Sequence, residues 1–162
     1  PKPPPNTRSR LAKAPANSGT PWFVAGAILS LAASALHIAV IAGGPKWYRF
    51  FGAPESYAIA ASRGSIMPAI ATLGIASVLA LWAAFAFSGA GLIRRLPLLR
   101  TALVSITAIY LLRGALLIPT IIVVPYPEGA FDYWSSAIVL VYGVVHAVGL
   151  WKAWPSLRPS IR

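Results

Sequence analysis

Four apolar stretches, each long enough to cross a bilayer, decide what this chain can fold into. They run from about Pro21 to Gly43, Gly64 to Ser88, Thr101 to Val124 and Trp134 to Trp151. A helix needs roughly 20 residues to cross a hydrocarbon core of about 30 Å. Lipid offers no partner to an open backbone amide, so the spans must be helices, and a barrel would show shorter alternating segments. The expected fold class is all-α, an integral membrane four-helix bundle over residues 21–155. Of the chain, 57% is hydrophobic and only 10% charged, which leaves too little polar side chain to cover a soluble surface. With no cysteine, disulfides, thiolate nucleophiles and cysteine-held metals are excluded.

The cations sort by side. Lys2, Arg8, Arg10, Lys13, Arg94, Arg95, Arg100, Lys152, Arg158 and Arg162 fall on one side of the spans. Lys46, Arg49 and Arg63 fall on the other, with all three acids, Glu55, Glu128 and Asp132. The positive-inside bias assigns both termini to the cytoplasm, and Trp22, Trp47, Trp134, Trp151 and Trp154 stand near span ends, where indoles favour headgroups. The +11 net charge sits at span ends and not along a groove with interleaved aromatics, which argues against nucleic acid as a partner. Residues 1–20, rich in proline and cations, are expected to form an extended cytoplasmic arm, and residues 156–162 a short tail. The apolar run after the arm is too long for a signal peptide. A partner subunit or anionic cytoplasmic lipid would hold the arm.

Few side chains inside the spans can carry chemistry. Arg113 is the most informative, because a charge in mid-span costs about 2.5 to 3.5 kcal/mol. Helical side chains lean toward their own N-terminus, so Arg113 is expected to point inward, to an acid of a nearby loop, carbonyls near Pro119, or an anionic ligand. His37 shares a face with Gly26, Ser30 and Ser34, a small-residue stripe that lets helices approach. It would reach the Arg113 layer if spans one and three are neighbours. With Arg63 and Tyr110 these residues outline a candidate pocket for an amphiphile, and the loop Pro45 to Glu55 is either packing for the bundle end or a lid over it.

His146 and Tyr142 share an inward face with Gly143 and Gly149, where a neutral histidine bonded to a hydroxyl or carbonyl is the plain reading. A haem between His37 and His146 needs both rings to converge on one iron, and their different depths weigh against it. No metal site is expected, because no carboxylate or cysteine lies in a span. Pro68 and Pro119 are expected to kink spans two and three. Thr72, Ala76, Ala80 and Ala84 form a candidate packing ladder. No nucleophile triad, paired carboxylates or phosphate loop is present, so enzyme chemistry has little support.

The stretches Gly44 to Ala53, Gly91 to Arg100 and Tyr110 to Gly114 resemble those of small bacterial inner-membrane proteins with four helices, over roughly residues 21–155. In size and layout the chain is also similar to the DoxX-like group. The resemblance implies a bacterial inner membrane and no particular activity. The resulting expectation is a non-catalytic accessory or binding subunit of a larger membrane assembly, with membrane lipids and other membrane subunits as partners. The alternative is a binder or carrier of a quinone or anionic lipid around Arg113 and His37, and the third reading is a membrane enzyme using His37 as acid or base.

Overall fold

A computed structural model describes residues 18–123 and 130–157. The arm up to residue 17, the stretch 124–129 with Glu128, and the tail from residue 158 lie outside the described residues, as do the expectations placed on them.

Among the described residues six helices follow one another: α1 (Thr20–Phe50), α2 (Glu55–Ser62), α3 (Met67–Gly89), α4 (Leu99–Ala115), α5 (Leu117–Val123) and α6 (Ala130–Ala153). Four segments are long and apolar enough to cross a membrane: α1, α3, the α4–α5 pair over Leu99–Val123, and α6. The fold is therefore the expected all-helical one, that of a multi-pass membrane protein. Large apolar side chains such as Ile28, Leu73, Leu112 and Val141 stand exposed around the outside, where a soluble protein would carry charge.

The order around the bundle is α1, α3, α4, α6, which places α1 and α4 on a diagonal. Spans one and three are therefore not neighbours. Register is set by small residues. Gly19 faces Ala153, Gly149 faces Phe23 and Gly26 faces His146, which aligns α1 antiparallel to α6. Gly143 faces Leu111 and Gly114 faces Leu140, aligning α4 with α6. The Thr20 hydroxyl donates to the Ala90 carbonyl at 3.2 Å and Ser34 to the Ala76 carbonyl at 2.8 Å, aligning α1 with α3. A serine reaches a backbone carbonyl across an interface only where two helices nearly touch, and Ala27, Ala83 and Ala86 give that approach.

Several expectations are corrected. The buried face of α3 is Thr72, Ala76, Leu79, Ala83 and Ala86, with Ala80 and Ala84 only half-buried. A ladder of four-residue steps drifts by about 40° per step on a helix of 3.6 residues per turn, whereas alternating steps of four and three stay on one face. Pro68 makes no kink, because it stands in the first turn of α3, where a missing amide costs nothing. Pro119 does act as expected. Its ring displaces the bond that residue 119 would make to the Ala115 carbonyl, and the helix breaks at Leu116 between α4 and α5.

The first connection also holds more structure than its composition suggests. Gly44 takes φ 65°, ψ −150° and bends α1, so Pro45 to Phe50 fold over the bundle end. Tyr48 is buried there against Val40 and Ala58 of α2. The segment packs on the bundle, as the plainer of its two expected roles had it. Arg49 closes the turn by a 2.7 Å ion pair to Glu55. The guanidinium hydrogen bond, backed by its charge, holds the Glu55 carboxyl below its ordinary value. Both groups are exposed, so the pair orients the turn more than it stabilises the fold.

Candidate functional site: the polar layers of the bundle

Two polar layers lie inside the spans. The deeper one centres on Tyr110, which is 4% exposed and comes from α4. Its hydroxyl reaches across the diagonal to the Ser30 hydroxyl of α1 at 3.0 Å. Its ring packs edge-on against Trp82 of α3 and Tyr142 of α6, with centroids 4.9 and 5.6 Å away, and against the His146 ring at 5.1 Å. One side chain thus touches all three other spans.

His146 is fully buried. Its Nδ1 lies 2.8 Å from the Tyr142 carbonyl. A carbonyl only accepts, so Nδ1 carries the proton and Nε2 of the neutral ring is an acceptor. That Nε2 is buried and has no hydrogen-bond partner among the described residues. The ring lies over Gly26, where an added Cβ would stand 2.7 Å from Cε1. The absence of a side chain at residue 26 is thus what admits the imidazole.

The second layer lies nearer the end that carries α2. Arg113 donates from Nη1 to the Ser136 hydroxyl at 2.8 Å and from Nη2 to the Ser135 hydroxyl at 3.3 Å. Its direction corrects the sequence expectation. With Gly114 opposite Leu140, Arg113 starts level with about residue 141 of α6, so a bond to Ser136 carries the guanidinium some five residues, about 7 Å, toward the far end of the span. The side chain snorkels outward, because the α6 hydroxyls above it offer acceptors that the apolar turn below does not. Arg113 is exposed on the outside of the bundle. Among the described residues the only ion pair is Arg49 with Glu55, so neither Glu55 nor Asp132 neutralises it.

His37 is half-buried at the level of Ser135, as the pairing of Gly26 with His146 fixes. It therefore shares the Arg113 layer, but on the diagonal helix, and its Nδ1 bonds the Ala33 carbonyl of its own helix at 2.7 Å. His37 stands 11 residues along α1 from Gly26, the position facing His146, a rise of about 16 Å. The two rings are not brought together. Arg63 is exposed at the C-cap of α2. The sequence-stated candidates therefore divide: Tyr110, Tyr142 and His146 form one cluster, while Arg113, His37 and Arg63 stand apart. Ser30, Ser135 and Ser136 complete the contacts. Ser30 was visible on the small-residue stripe, but Ser135 and Ser136 carried no signal beyond being polar at the start of a span.

No family model, curated protein or solved structure matches this chain.

Proposed function

We propose that the protein is a non-catalytic subunit of a larger assembly in a bacterial inner membrane, with Arg113 as its contact to a partner. The observation that carries this reading is the exposed guanidinium, which among the described residues is hydrogen-bonded to two neutral hydroxyls and to no acid. Hydroxyls orient a guanidinium but do not neutralise it, and a charge in a span persists where a counter-charge repays it. A carboxylate on a neighbouring transmembrane helix does that. The charges support a cytoplasmic location for the end where α1 begins: Arg94, Arg95, Arg100 and Lys152 cluster there, as the positive-inside bias favours.

The test is gentle extraction of the native assembly, followed by cross-linking from a photoreactive residue at the exposed position Leu112. A single partner helix bearing an acid should be captured. Arg113→Leu should abolish that product, and Arg113→Lys should keep part of it. Capture unchanged in Arg113→Leu would reject the reading.

A second reading follows from the same place. Arg113, held by the Ser135 hydroxyl and the buried Ser136 hydroxyl, stands exposed with guanidinium hydrogens to offer, near the exposed Trp134, an arrangement suited to the polar end of a quinone or an anionic lipid. In that case Arg113→Leu removes a small amphiphile from the extract and leaves its protein composition unchanged. An enzyme reading finds less support, since the only polar partner described for His37 is a carbonyl of its own helix.

A further inference from the structure

We propose that the arginine-lined trough at the opposite end of the bundle is a binding site for the headgroup of an anionic phospholipid. The trough has a volume of about 770 Å³ and lies between the α3–α4 connection and the final turn after α6. Arg94, Arg95 and Arg100 line it together with Leu96, Leu98 and Leu157. No acidic residue occurs anywhere from Ser88 to Thr101 or from Ala147 to Leu157, so the described walls carry positive charge.

Two of the cations, Arg100 and Arg95, have side-chain contacts that hold them. Arg100 holds its guanidinium over the Trp154 ring, its Cζ 3.7 Å from the centroid. Such a cation–π contact positions a guanidinium while leaving N–H groups for an oxyanion. Arg95 donates to the Leu157 carbonyl at 2.7 Å and so fastens the last turn as one wall. Ser88 braces the connection, donating to the Arg94 carbonyl at 3.2 Å and accepting from the Leu96 amide at 2.9 Å. A guanidinium held before its ligand arrives loses little entropy on binding, and its paired N–H groups match phosphate oxygens.

Two further features select lipid over a soluble anion. Leu98 takes a left-handed backbone at φ 53° and leaves its side chain 79% exposed. Leu92 and Ile93, in the same connection, are 60% and 45% exposed. Apolar side chains thus flank the arginines at the level where spans meet the headgroups, as a molecule with a charged head and greasy tails requires. In addition, the first residues of α4 line the trough and the helix begins without a side-chain cap, an end whose dipole favours a negative group.

The experiment uses the purified full chain in nanodiscs of phosphatidylcholine containing phosphatidylglycerol at about one part in ten, with retained lipid counted by native mass spectrometry. Phosphatidylglycerol should be retained preferentially. Arg100→Gln should lower that retention on the order of tenfold, the scale of a lost charged hydrogen bond. Arg100→Lys should recover only part of it, because an ammonium neither stacks nor forks. Arg94→Gln, which changes an exposed side chain and leaves the fold intact, should also lower retention, and Lys46→Gln at the other end should not. Equal retention of the two lipids would overturn the proposal. So would a loss in Lys46→Gln matching that in Arg100→Gln, which would mean diffuse attraction. Competition by soluble glycerol phosphate as effective as by the lipid would reassign the site to free phosphoesters.

Discussion

Gly26 shows how a residue without a side chain can fix the position of one that has a large polar one. The His146 ring occupies the place where a Cβ would stand, and the Tyr142 carbonyl holds it there. Gly26→Ala should therefore lower stability by about 1–3 kcal/mol, the usual range for overpacking. Gly74→Ala, which meets nothing within 4 Å, should be neutral or slightly stabilising, since alanine is the better helix former. Thermal unfolding in a mild detergent, followed by circular dichroism, compares them; equal melting temperatures would contradict the packing described. The stripe Gly26, Ser30, Ser34 was legible in the sequence because a helix repeats every 3.6 residues. The bond from Ser30 to Tyr110 was not, because which helices share a diagonal depends on contacts among all four. The outward course of Arg113 was hidden for a related reason. General lean applies until a specific acceptor outbids it, and Ser136 becomes that acceptor only once α4 and α6 are in register.

Among the elements, span positions were read well and their interruptions less so. Each long apolar run in the sequence coincides with helix in the structure, because an apolar run in lipid has almost no other conformation available. The bend at Gly44 escaped, although the Gly44-Pro45 pair marks it in hindsight: a proline restricts the residue before it, and this glycine takes a backbone conformation almost closed to other residues. Gly44→Ala should cost about 1–3 kcal/mol from backbone strain alone, because a Cβ there meets nothing within 4 Å. The same variant should loosen the packing of Tyr48 on α2, seen as faster proteolysis between Phe50 and Arg63. Proteolysis at the native rate with unchanged stability would show that the bend does not hold the segment. The short helix α2 had no signal of its own. Eight residues with one buried alanine, Ala58, and two half-buried ones, Ala60 and Ala61, give neither a long apolar run nor a clear amphipathic face.

For the molecule as a whole, the charges of the two ends differ. The arginine-rich end holds the start of α1, the close of α6 and the trough, and the other end holds α2, Glu55 and Asp132. Because the chain has no cysteine, single cysteines report topology cleanly. Cysteine at Ser18 or Ser156 should be shielded from an impermeant maleimide in intact cells, and cysteine at Ser62 should react. Labelling of Ser18 and Ser62 from the same face would overturn the four-crossing arrangement. The equal lengths of the crossings have a mechanical meaning of their own. At 1.5 Å per residue, the segments Met67–Gly89, Leu99–Val123 and Ala130–Ala153, and α1 as far as its bend, all span about 34 to 38 Å. When the surrounding sheet of lipid is stretched thin, no single rod protrudes first to relieve the strain. Any mismatch with a thinner bilayer therefore falls on all four crossings alike, and the tilt that relieves it is shared among them.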